Sequence, residues 1–102
     1  MNTNTFTAIE KAITKIMQDI ENFIEEEELS EVMYEGEVYI ADSQVKDAEV
    51  AYINNPSEEN GRILDLAYDA HEEVIDNYNA AVEKVQSLYK ILDLLEKATW
   101  EC

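Results

Sequence analysis

Helix breakers are scarce in this chain: one proline and two glycines among 102 residues. That shortage favours long, uninterrupted helices. Bases are scarce too, with seven Lys and Arg against 24 Asp and Glu, a formal charge of −17. Such a chain is repelled by phosphate backbones and anionic lipid, which excludes direct nucleic-acid and membrane-surface binding. A single cysteine, Cys102, excludes an internal disulfide. One histidine, and no Gly-rich phosphate loop, nucleophile elbow or Cys/His cluster, leave little for catalysis. The expectation is a non-enzymatic protein with no cofactor and no metal. No segment approaches the ~20 apolar residues that span a bilayer. Met1-Asn2-Thr3-Asn4-Thr5 has neither a basic region nor an apolar run, so no signal peptide is expected. These absences predict a soluble, cytoplasmic protein.

What is present points to a folded chain. Hydrophobic residues make up 46% of it, including six Tyr, two Phe and one Trp. An acidic disordered tail would be poor in all of these. The length suits one acidic helical domain over residues 1–102.

Periodicity divides the chain into three helices, over residues 7–28, 31–54 and 57–98. Thr7-Ala8-Ile9-Glu10 fits a capping box that would open the first. Ile9, Ile13, Ile16, Met17, Ile20, Phe23 and Ile24 then share one face. Glu27 falls on that same face, so the helix is expected to end, or leave its partner, near Glu25–Glu28. In the second segment Tyr34, Val38, Ala41, Val45, Ala48 and Tyr52 form a narrow seam. Val32, Met33, Tyr39, Ile40 and Val50 lie on roughly the opposite side, as in a helix sandwiched between partners. A short strand or loop around Gly36 is the rival, because Val38-Tyr39-Ile40 favours β structure. Asn54-Asn55-Pro56 breaks the chain, and Ser57 followed by Glu58 and Glu59 reads as an N-cap and an acidic first turn. The third helix is long enough that a kink near Asn77-Tyr78-Asn79 is considered. The expected fold is all-α, a three-helix antiparallel bundle with a long C-terminal helix.

Two metal motifs fail on their residues. A carboxylate-bridged di-metal bundle needs Glu-x-x-His, but Tyr68 stands three residues before His71. His71 is therefore expected at a surface or boundary position. A calcium loop needs alternating Asp or Asn and a central Gly, and Asp42–Asp47 has neither.

The acids are unevenly placed. Between Ile16 and Val45 there is no Lys or Arg, while Asp19, Glu21, Glu25, Glu26, Glu27, Glu28, Glu31, Glu35, Glu37 and Asp42 fall there. A second base-free block runs from Asp65 to Glu83. At about 100° per residue, Asp65, Asp69, Glu72, Asp76 and Glu83 make one narrow stripe, bordered by Glu73. It lies opposite the seam of Ile63, Ala70, Val74 and Ala81. Neighbours three or four residues apart sit ~5–6 Å from each other and repel by a few tenths of a kcal/mol per pair. Ordinary surfaces intersperse Lys to relieve this.

A solvated acidic face that aids solubility is one account of this pattern. The other is a row of carboxylates that imitates nucleic-acid phosphates and enters a basic groove. In size, charge and helical content the chain resembles the small acidic DNA-mimic inhibitors of phages and mobile elements, of anti-restriction or anti-CRISPR type. The resemblance implies a mode of action: blocking the basic groove of a nucleic-acid-binding protein such as a host defence nuclease or CRISPR effector. Asp65, Asp69, Glu72, Glu73 and Asp76 are the expected contact strip, with Glu21, Glu25, Glu28, Glu31 and Glu35 as a second.

The chain's far end differs in character. Leu88, Leu92 and Leu95 hold the seam, Ile91 and Leu94 lie near the angle that acids occupy upstream, and Trp100 follows. Helix one, a second copy or a partner must cover this segment. A homodimer through Leu88, Ile91, Leu94, Leu95 and Trp100 would extend the acidic surface. A helical structural or adaptor protein that associates through this end is the alternative function.

Overall fold

The one firm break in the pattern is where the chain reverses. In the computed structural model, which describes residues 3–101 and the side chains of residues 7–98, helix α1 spans Thr3–Asn54 and helix α2 spans Glu58–Glu101. Pro56 disfavours helical geometry in the residue before it, and Asn55 leaves α1 with its N–H still bonded to the Ala51 carbonyl at 3.0 Å. Ser57 then caps α2, its Oγ accepting the Asn60 N–H at 3.1 Å. Glu58 and Glu59 fill the first turn, as the sequence suggested. The Asn60 side chain reaches back and donates to the carbonyls of Ala51 at 3.3 Å and Asn55 at 2.9 Å. It thereby gives a second hydrogen bond to two carbonyls that already accept the N–H groups of Asn55 and Ser57, and so braces the turn. At Gly61 a Cβ would stand 3.4 Å from the Tyr52 ring, so glycine leaves room for that ring against the start of α2.

The three-helix bundle is not what forms. Residues 7–28 and 31–54 belong to one helix, and no strand occurs among the described residues. The expected break at Glu25–Glu28 fails for two physical reasons. Glutamate is a good helix former and no Gly or Pro interrupts the run. The misplaced acid also finds a partner: Glu27, half-buried on the apolar face, lies 3.5 Å from Lys84 Nζ. The start is corrected as well, because α1 begins at Thr3 and Thr7 lies a turn inside it. The rival strand near Gly36 is absent; Val38-Tyr39-Ile40 is helical, and Gly36 has no positive φ. Helix α2 continues through Asn77-Tyr78-Asn79.

The helices contribute to two compact units. Unit two, Ser30–Ala81, is an antiparallel helical hairpin closed by the Asn55–Ser57 turn. Tyr68 donates to Glu49 at 2.9 Å, and His71 Nε2 donates to Asp42 Oδ1. Its core is thin: Ala41, Val45 and Ala48 of α1 are buried, with Ala81 of α2. Small residues at these steps let the two backbones approach. Unit one comprises Met1–Leu29 and Val82–Cys102. Its buried residues among those described are Ile24 and Val85, and Tyr89 donates its hydroxyl to Glu28.

With only one helix to pack against in each unit, much apolar surface stays outside. Val32, Met33, Tyr39, Ile40, Val50 and Ile53 are all more than half exposed in unit two, as are Phe23, Leu29 and Leu94 in unit one. The sandwiching expected for residues 32–50 is one-sided within this chain.

Candidate acidic interaction surface

The side of α2 that meets α1 in unit two is set by Leu64, Ala67, His71, Val74, Ile75 and Tyr78, all half-buried, and by buried Ala81. Asp65, Asp69, Glu72, Glu73 and Asp76 fall between these positions and point away. Every one of the five is exposed. Periodicity also puts these acids outside the seam, but the seam itself is displaced: Ile63 and Ala70, expected in it, are exposed, and Leu64, His71 and Ile75 take their place. The steps Asp65–Asp69, Asp69–Glu72, Asp69–Glu73, Glu72–Asp76 and Glu73–Asp76 are all spaced three or four residues, so each is a like-charge neighbour pair along the helix.

Tyr68 borders the strip. Its hydrogen bond to Glu49 raises its phenol pKa above the ordinary 10.0, helped by partial desolvation and by the charges of Glu49 and Asp65. The same hydrogen bond, at 2.9 Å, ties the phenol to α1.

The second strip does not form one set. Glu21, Glu25 and Glu28 belong to unit one, where all three are exposed. With Ile24, Tyr89 and Leu92 they line a recess of about 290 Å³, and Glu28 already accepts the Tyr89 hydroxyl. Glu31 and Glu35 belong to unit two. Glu31 is half-buried at the edge of the helix contact, while Glu35 is exposed. Glu35 lines a different recess of about 280 Å³ with Val38, Tyr39, Asp42 and Tyr78.

Periodicity alone does not join the residues of that second recess: it puts Val38 in the seam and Tyr39 on the opposite side, while Asp42 belongs to the first base-free block and to a failed calcium loop. The signal that could have located it is the alternation of acid and aromatic at positions 35, 39 and 42, one helical turn apart. Asp42 is held there by His71, half-buried on the facing helix.

At the apolar end of α2, Leu88, Leu92 and Leu95 are half-buried along the seam, while Ile91 and Leu94 are exposed. Trp100 lies outside the described side chains. Among the described residues, no group of three His, Cys, Asp or Glu is arranged to hold a metal ion. No described helix is long and apolar enough to cross a membrane. No protein-family model, curated protein or solved structure matches this chain.

Proposed function

We propose that this chain is a non-enzymatic inhibitor that mimics nucleic acid and occludes the basic groove of a DNA- or RNA-binding protein, such as a defence nuclease or CRISPR effector in the cytoplasm of a host cell. The observation that carries it is the strip Asp65, Asp69, Glu72, Glu73 and Asp76, five exposed carboxylates on one helix with no base among them. From Asp65 to Asp76 the helix rises about 16 Å, so the charges recur roughly every 4 Å. One strand of duplex DNA carries a charge about every 3.4 Å. The strip therefore offers a Lys/Arg groove a linear charge density near that of one phosphate strand.

Affinity capture on the immobilised protein tests this. Cell-lysate proteins retained at low salt should be nucleic-acid-binding, and duplex DNA should displace them. If the strip's five charges are neutralised on binding, log K should fall with log salt at a slope of about −3.5 to −4.5. Retained partners that resist DNA competition, or that bind with a flat salt response, would refute mimicry.

A second reading is favoured by the exposure of Ile91 and Leu94 at 46% and 65%. It is a helical adaptor that associates through the end of α2, either with a second copy or with a partner. It predicts salt-tolerant binding that Leu94→Glu removes.

A further inference from the structure

The outer side of α1 in unit two carries a surface that nucleic-acid mimicry does not use. Val32, Met33, Gly36, Tyr39 and Ile40 are spaced as one helical stripe. At about 100° per residue it lies opposite buried Ala41, Val45 and Ala48. Its four side chains are 66%, 54%, 70% and 61% exposed in chain order.

Gly36 sits at the middle of this stripe. Glycine inside a helix costs ~1 kcal/mol relative to alanine. Neither a turn nor internal crowding accounts for it: its φ is not positive, and a Cβ there would meet nothing within 4 Å. Close approach by a backbone from outside the chain does account for it.

The rim of the stripe decides what fits. Glu35 and Glu37 flank it on two sides, both exposed, and no Lys or Arg occurs between Ile16 and Val45. A second copy laid on this stripe would bring Glu35 and Glu37 against their own equivalents, whereas a cationic partner would find them complementary. The recess lined by Glu35, Val38, Tyr39, Asp42 and Tyr78 opens beside the stripe, with a volume of about 280 Å³. It combines two carboxylates, two phenol rings and an aliphatic wall. That is the chemistry that receives a Lys or Arg side chain, with its stem on apolar surface and its charge between carboxylate and ring.

We propose that this face of α1 docks a cationic amphipathic helix of a partner protein. The partner's apolar stripe covers Val32, Met33, Tyr39 and Ile40, its backbone closes on Gly36, and one Lys or Arg side chain enters the Glu35–Asp42 recess.

The probe is a synthetic 18-residue peptide with Leu on one helical face and Lys along its flanks. Its controls are a shuffled peptide of the same composition and a Leu/Glu peptide of the same pattern. Fluorescence anisotropy should show binding of the patterned Leu/Lys peptide alone, and circular dichroism should show it becoming helical. Ile40→Glu, which places a charge against the apolar stripe, should weaken binding by about tenfold or more. Ile40→Ser removes apolar surface without adding charge and should weaken it by a smaller factor. Glu35→Gln should also weaken it, while Asp69→Lys/Asp76→Lys, on the other helix, should leave it within about threefold. The proposal is overturned if the shuffled peptide binds as tightly, or if neither Ile40 variant changes affinity. It is equally overturned if sedimentation shows a homodimer that Ile40→Ser dissociates, because the stripe then belongs to a second copy.

Discussion

Replacing Asp69 and Asp76 by lysine separates a functional acidic strip from a merely solvating one. These two positions take part in all five neighbour pairs of the strip, namely 65–69, 69–72, 69–73, 72–76 and 73–76. The double substitution turns every pair from like to opposite charge. It creates no new like-charge neighbours, since the two lysines stand two turns apart. Each exposed helix pair is worth ~0.2–0.5 kcal/mol in either direction, so at the low end each swings by about 0.4 and the five together by about 2 kcal/mol. Asp69→Lys/Asp76→Lys should therefore be more stable than the parent in urea at low ionic strength, with an unchanged m-value. In ~0.5–1 M salt, where screening shortens the range of these pairs to a few ångströms, most of the gain should vanish. The same variant should lose the partners captured from lysate. A protein that becomes more stable while it stops binding has a strip kept at the expense of stability. If the variant gains nothing at low salt, the five pairs do not repel as their spacing implies. If it gains stability and still captures the same partners, the strip is not the contact surface.

Three further outcomes follow from local geometry. Gly36→Ala adds a methyl that meets nothing and should raise stability by up to ~1 kcal/mol through helix propensity, measured by urea unfolding. Ser57→Ala removes the acceptor for the Asn60 N–H and should cost about 1 kcal/mol in the same assay. Tyr68, whose hydrogen bond to Glu49 raises its pKa, should ionise later than an ordinary tyrosine in an ultraviolet difference titration. Glu49→Ala, which removes both the acceptor and the charge, should bring that titration back down. Because the hydrogen bond favours the neutral phenol in the folded state, its contribution is complete below the ordinary tyrosine pKa and is lost as pH rises through the raised folded value.

The acidic strip of α2 was legible because helix periodicity is a local property. Asp65, Asp69, Glu72, Glu73 and Asp76 needed only the 3.6-residue repeat to be placed on one side, opposite the seam. The turn was equally legible: Pro56 and Ser57 act within their own few residues. Glu31 illustrates the opposite case. Periodicity grouped it with Glu21, Glu25 and Glu28, yet it is half-buried at the edge of the helix contact and lies in a different unit. The Asp42–His71 pair could not be seen either, because it joins the two sides of the hairpin and depends on their register.

The sequence by itself determined that the chain is helical, where it reverses and where the uncompensated acids stand, but not the seam in full: Ile9, Ile16, Phe23 and Ile63, which periodicity puts there, are exposed. Composition, caps and periodicity act over a few residues, and nothing distant opposes them here. Only the tertiary structure decided that there are two helices. No Gly or Pro ends the helix at Glu25–Glu28, and the acid that periodicity puts on the apolar face, Glu27, is accommodated by Lys84 at 3.5 Å, which arrives from the other helix. The tertiary structure also decided which apolar side of residues 32–50 is covered. Both sides have the right period, but α2 offers only one contact surface. Ala41, Val45 and Ala48, being small, permit the closer approach and take it, which leaves Val32, Met33, Tyr39 and Ile40 outside.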